Sequence, residues 1–388
     1  MIRTKKTRYV IIVITTLFTL IVIKAVWVVC ATSGHGDWDS ERKDIIRRAN
    51  YLTERVATSP QQLLDEMPSG IGEQFQGEWA LYTCSMTSAA LANIALLYPQ
   101  NKEASLKYID KIIEIALSEE IREYDALRWN EDPMDGIYGD LSHISYYSHL
   151  AWMIARYKEI GGDDKYDMEY HSLCKAMNRR IRESRYFNLP TYPEECIYVP
   201  DMLVAIEVLN YYAKQNGGKY SETVKLWIKR AKREWTDKET GLLASFLEVD
   251  GDSLKIAPPI KGSYSALNCY YLSLVDSEFA QEQYELLKDH FKQTFPVTGI
   301  KEYHDYSCWF GMDIDAGPII MNLSPSGTAF AIGCATSLGD MEFRNQLLKT
   351  TEIGGSTVSW FGQSHYLIAN IALVGEAIIL AMRTSQQK

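Results

Sequence analysis

The first 36 residues contain no acidic side chain, the chain has no Cys-x-x-Cys pair, and no Pro- or Ser-rich stretch interrupts it after the first forty positions. Nor is there a phosphate-binding loop, a dinucleotide fingerprint, a zinc-protease helix or a nucleophile elbow. The missing linker makes one large domain a simpler reading of 388 residues than two. The missing motifs leave chemistry to acids, bases or a thiol, with no metal and no organic cofactor expected. Outside the N-terminal run the cysteines are Cys84, Cys174, Cys196, Cys269, Cys308 and Cys334, too widely spaced for a metal finger. Most sit in apolar helical surroundings and read as small buried hydrophobes. An oxidising compartment would let some of them pair, in a connectivity that spacing does not assign.

What is present at the N-terminus is basic and apolar. Arg3, Lys5, Lys6 and Arg8 precede a run from Tyr9 to Val29 whose only charge is Lys24, long enough to supply the roughly 20 residues that cross a bilayer. Lys24 lies near the far end, where its stem can snorkel toward the headgroups. The positive flank puts the N-terminus in the cytoplasm and the rest of the chain outside it. The expected organisation is a basic cytoplasmic tail at 1–8, a single-pass transmembrane signal-anchor at 9–31 and an extracytoplasmic domain at 37–388, periplasmic in a bacterium. A cleaved signal peptide ending near Val29-Cys30-Ala31 is the alternative. With the five N-terminal bases set aside, 35 basic residues face 50 acidic ones. Such a surface repels phosphate backbones, which argues against nucleic acid as a partner.

The rest of the chain alternates two kinds of helix. An outer series at 38–56, 102–117, 165–181, 220–235, 278–291 and 341–350 has apolar residues three and four apart with charges between them. An inner series at 79–98, 143–160, 201–213, 264–275, 327–338 and 364–382 is nearly free of charge and rich in Ala, Ser and Gly. Helices polar on no face are buried on all sides, and small residues let their backbones approach. Twelve such helices close most economically as an all-α (α/α)6 toroid, in which every inner helix points the same way. The polar openings before the inner helices, at Gly77, Gly139, Cys196, Lys261, Ser324 and Phe361, then gather at one mouth. The long irregular segments 120–139, 183–200, 237–262 and 294–326 also fall before inner helices and are expected to build a pocket there.

Side chains able to do chemistry are dense at those openings. Glu78, Tyr82, Asp140, His143, Tyr146, His149, Cys196, Asp201, Tyr264, Asp313, Asp315 and His365 are among them. Tyr146 and His149 are three apart and share a helix face directed at the axis, so His149 is a general acid or base, or else a structural histidine. Cys196 follows Glu194 and Glu195 and precedes a helix start; helix-end N–H groups lower a thiol pKa whereas carboxylates raise it. Asp201 reads as a helix cap. Ser324-Pro325 reads as an N-cap followed by proline at the first helical position. Asp313 and Asp315, flanked by Trp309 and Phe310, are either turn residues or carboxylates for a polyol.

Tyr147-Ser148-His149-Leu150 on an inner helix, Cys196 before the next one, Tyr264 entering the fourth and Tyr82 on the first together resemble the linalool dehydratase/isomerase family over about residues 75–340. The resemblance implies an (α/α)6 barrel outside the cytoplasm, acting on allylic alcohols without metal or organic cofactor and assembled as a cyclic homo-oligomer. By position it implies that His149, Cys196 and Tyr264 handle protons and that Tyr82 lines the pocket. That family has two cysteines about this loop. Cys196 stands alone here, so a neighbouring carboxylate, Glu195, is expected to take the second thiol's part. Dehydration needs an acid to protonate the hydroxyl and aromatic faces to stabilise positive charge, for which Trp79, Tyr82, Tyr146 and Trp309 are placed. Asp140, Asp313 and His365 complete the expected small-molecule site. A carbohydrate enzyme, glycoside hydrolase or lyase, is the alternative, marked by two facing carboxyls at the same mouth. A third reading is a membrane-anchored binding protein without catalysis.

Overall fold

A computed structural model describes residues 2–68, 72–193, 196–313, 316–370 and 372–386. Glu194, Glu195 and Asp315 lie outside the described residues. Helix α1 (Ile2–Thr32) is followed by α2 (Trp38–Val56), the short α3 (Pro60–Asp65), α4 (Glu73–Leu97), α5 (Lys102–Ala116), α6 (Glu119–Trp129), α7 (Ile144–Glu159) and α8 (Asp167–Glu183). Strand β1 (Ile197–Tyr198) leads into α9 (Val199–Gln215) and α10 (Ser221–Glu234), and the hairpin β2 (Phe246–Asp250) and β3 (Ser253–Ile256) into α11 (Gly262–Val275) and α12 (Ser277–Phe291). Strands β4 (Lys292–Gln293), β5 (Gly299–Ile300), β6 (Phe310–Asp313) and β7 (Gly317–Ile320) precede α13 (Pro325–Ser337) and α14 (Met341–Gly355). The hairpin β8 (Thr357–Trp360) and β9 (Gln363–Tyr366) precedes α15 (Leu373–Arg383).

The inner helices are α4, α7, α9, α11, α13 and α15. Each packs against the next, and α15 packs against α4, so the ring is closed. Around it stand α2, α5, α8, α10, α12 and α14, each packed on the inner helix that follows or precedes it. The fold is thus an (α/α)6 toroid. Close inner packing depends on small residues: a Cβ on Gly333 of α13 would lie 2.2 Å from Met382 Sδ on α15 and 2.8 Å from the Tyr270 ring on α11. The outer helices carry side-chain caps where the sequence offers them. Asp276 accepts from Phe279 N at 2.9 Å and Asp340 from Phe343 N at 3.0 Å, and on the inner helix α13 Ser324 accepts from Gly327 N at 3.0 Å ahead of Pro325.

Contacts between successive helix starts put the openings at one end. Tyr82 of α4 reaches Asp201 of α9, Ser145 of α7 reaches Glu78 of α4, and Ser263 of α11 shares Glu302 with the opening of α13. The ring is sealed where chain beginning meets chain end. Glu41 of α2 takes Arg344 of α14 through two bonds of 2.9 Å and Arg383 of α15 at 2.7 Å, while Arg48 donates to Glu376 at 2.6 Å.

Two expectations are corrected. The segment 120–139 is not wholly irregular, because Glu119–Trp129 is a helix capped by Ser118. The last inner helix begins at Leu373 rather than at 364, because Thr357–Tyr366 alternates as a hairpin, turning through Phe361 and Gly362 with φ of 43° and 82°. The toroid is mostly helical as expected; among the described residues nine short strands in four small sheets, all in segments before inner helices, accompany the helices.

Helix α1 stands apart, since its apolar stretch Tyr9–Thr32 is exposed along its length. It meets the barrel mainly along α14 and just past its end: Lys24 Nζ donates to the Glu352 carbonyl at 2.9 Å and to Ser356, and Trp27 Nε1 to Glu352 Oε1 at 2.8 Å. Lys24 is therefore met by protein oxygens rather than snorkelling outward.

Candidate active site

The mouth is organised by two buried carboxyls carried on α4 and α9. Asp201 sits in the first turn of α9, yet it does not cap that helix. Its Oδ1 accepts the Tyr82 hydroxyl at 2.6 Å and its Oδ2 the Thr191 hydroxyl at 2.8 Å, so the carboxyl is turned across the ring. His149 Nδ1 bonds Ser85 at 2.8 Å, its ring packs 4.2 Å from that of Tyr82, and its Nε2 lies 3.7 Å from Asp201 with no hydrogen-bond partner. Burial pushes the Tyr82 hydroxyl well above its usual range, with Asp201 adding to it, so Tyr82 stays neutral and donates.

One turn before Tyr82 on α4 lies Glu78. Arg128 of α6 grips it with both guanidinium ends, at 3.1 and 3.3 Å, and Tyr192 donates to it at 3.3 Å. Burial raises the Glu78 carboxyl and outweighs Arg128, which pulls it down; the neighbouring Asp201 raises it further. Arg128 in turn stacks over Tyr192, 4.1 Å from the ring centre. Beside this, Tyr198, Phe246 and Tyr264 form an aromatic corner with ring centres 5.1 to 5.5 Å apart. Tyr198 also faces Tyr82, which joins the corner to the carboxyl pair. Tyr264 is buried, and the half-buried faces of Tyr198 and Phe246 beside it suit an apolar sugar face.

The expected residues divide between these groups. Tyr82 and His149 meet at the carboxyl pair. Tyr264 belongs to the aromatic corner, and Cys196 lies at its edge with its thiol 3.8 Å from Glu248 Oε1 on β2. Trp79 is half-buried on α4. The others point elsewhere, and their assignment to a common pocket is corrected. Tyr146 gives its hydroxyl to the Ala116 carbonyl of α5, toward the outer layer. Asp140 is at the surface against Arg179. Asp313 pairs with Lys261 at 2.6 Å and accepts from Tyr303 at 3.3 Å. Trp309 stands exposed on the rim, and His365 stacks flat on Tyr51 of α2 at 4.1 Å. His143 is a buried strut between Asp125 and Glu131.

Sequence reasoning missed Arg128, Tyr192, Thr191 and Ser85. Arg128 lies in a helix read as irregular, and only the i, i+3 spacing of Asp125 and Arg128 hinted that they share a face. Among the described residues no group of three or more His, Cys, Asp or Glu is arranged to hold a metal ion.

No family model matches the chain, and no curated protein matches its sequence. Among the solved structures that share the fold, two superpose over most of the chain. An unsaturated glucuronyl hydrolase specific for heparin superposes with a TM-score of 0.54 at 10% identity, covering 87% of this chain and 96% of its own. An α-1,6-mannanase from Salegentibacter sp. superposes with a TM-score of 0.53 at 12% identity, covering 88% and 99%. The likeness is one of fold over nearly the whole toroid.

Proposed function

We propose that the chain is a membrane-tethered hydrolase of glycosidic bonds, with its substrate seated at the toroid mouth. Glu78 gives the proton to the leaving oxygen. Asp201 is the partner carboxyl, attacking the anomeric carbon or activating a water. The observation that carries the reading is the junction of these two acids through Tyr82, which stands one turn from Glu78 and donates to Asp201 at 2.6 Å. Burial raises one member of the pair, and a carboxyl held neutral in this way is suited to general acid work. Tyr192, Tyr198 and Tyr264 supply faces for sugar rings. The hydrolases that share the fold act on glycans, which adds support of the same kind. Dehydration of an alcohol is less well supported, because the His149 Nε2 faces Asp201 whereas the Cys196 thiol faces Glu248.

The apolar stretch of α1, exposed and preceded by four bases, acts as a signal-anchor that leaves the toroid outside the cytoplasm. The purified full-length protein should shorten at least one member of a panel of uronate and mannose oligosaccharides, read by mass. Glu78→Gln and Asp201→Asn should each lower turnover by about 10²- to 10⁴-fold with circular dichroism unchanged. Undiminished turnover in either variant would falsify the assignment.

A further inference from the structure

We propose that the mouth rim is a membrane-docking surface, seated on the outer leaflet of the same bilayer that α1 crosses. The first observation is the direction of α1. His35 lies by Asn345 near the start of α14, and Lys24 and Trp27 lie by Glu352 and Ser356 at its end. Running back toward its N-terminus, α1 therefore passes the C-terminal end of an outer helix. That is the mouth end, because α14 leads straight into the β8–β9 hairpin that opens α15.

The second observation is length. Val22 is the first residue of α1 to line the cavity between it and the barrel, so the apolar stretch standing clear runs from Tyr9 to Ile21. At 1.5 Å per residue that is about 20 Å. The hydrocarbon core of a bilayer is about 30 Å thick. The missing ~10 Å is made up by local thinning of the bilayer or by the part of α1 that lies alongside the barrel, and either way the mouth rim is drawn against the bilayer surface. At that level a cavity of about 700 Å³ separates Val22, Ile23 and Val26 of α1 from Thr357, Ser359 and Tyr366 of the barrel. An apolar helix wall beside polar protein is what lipid at the headgroup boundary would fill.

The third observation is independent of α1. The rim carries Phe295, Trp309, Phe310, Met312, Trp360 and Phe361 as exposed side chains; Phe361 is 92% exposed at the tip of its hairpin and Phe310 78%. They come from three separate segments, all before or beside inner-helix openings. Among the described residues, the far end of the toroid exposes Leu96 and Met168 and no large aromatic ring. Aromatic side chains gathered at one end, on the side where an apolar helix leaves, match the composition of a membrane interface belt. The committed occupant is lipid, since the span that projects past this rim brings a bilayer there.

The test uses the full chain in phosphatidylcholine nanodiscs, with benzoylphenylalanine replacing Phe361, Phe310 or, as the far-end control, Met168. Photolysis should yield phosphatidylcholine adducts from the first two positions at least about tenfold above the third, in keeping with the free energy of burying one aromatic side chain. Equal adduct yields at all three positions, or adducts to a second copy of the chain from positions 361 and 310, overturn the proposal. The readout needs no turnover, so it stands or falls separately from the glycosidase reading.

Discussion

Two parts of the molecule bury a carboxyl, and they treat it in opposite ways. In the seam between α2, α14 and α15, burial works to raise Glu41, but Arg344 and Arg383 hold it down at about 2. At the openings of α11 and α13, Glu302 receives the Ser263 hydroxyl and amide and the Ser324 hydroxyl, and burial pushes it up to about 7. Guanidinium charge offsets the desolvation of a carboxylate; hydroxyl dipoles do so only in part. The seam is built for cohesion, whereas burial at the mouth raises Glu302 and Glu78. Glu376 marks the limit of the rule, being raised by complete burial in spite of Arg48.

The largest test of this contrast is Glu41→Ala, which leaves two buried guanidinium groups without their shared partner and should cost about 3–5 kcal/mol in chemical denaturation. A loss below about 1 kcal/mol would place the seam with surface ion pairs and break the comparison. Next comes pH. Glu302 binds its proton more tightly folded than unfolded, so its stabilisation is full below about pH 4.5 and is lost as pH rises toward 7. Glu302→Gln should flatten that slope, a difference on the order of 2–3 kcal/mol across the window. Glu41 has the opposite sign: its contribution is present above pH 4.5 and disappears as pH falls toward 2. Denaturation midpoints at pH 3, 5 and 7 separate the two, and a common sign of slope in both windows rules the contrast out. The smallest effect belongs to Asp340→Ala, a half-buried cap for α14, expected to cost about 1 kcal/mol by the same measurement.

The alternation of charged and charge-free helices was enough to read the toroid, because burial on all sides leaves its mark in composition. The Ser324-Pro325 cap was legible for a similar reason, since capping is a local affair. The hairpin Thr357–Tyr366 was not, because its short alternating strands lie against a helix-like run and its turn depends on φ at Phe361. Asp201 shows the same limit at the site. A short polar residue at a helix start looks like a cap, and only the fold brings Tyr82, 119 positions away, to claim its oxygen. Tyr146 fails in the converse sense: its helix face was readable, but the carbonyl that draws its hydroxyl outward belongs to α5.

The seam also governs the order in which the protein can mature. Glu41 and Arg48 are made early, but Arg344, Glu376 and Arg383 emerge last. Until the C-terminus has been made, Glu41 and Arg48 of α2 lack Arg344, Arg383 and Glu376, the partners that hold α2 to the closing helices of the ring. A chain cut short by even its final helix thus forfeits the bolt of the ring, and quality control has a single late event to monitor.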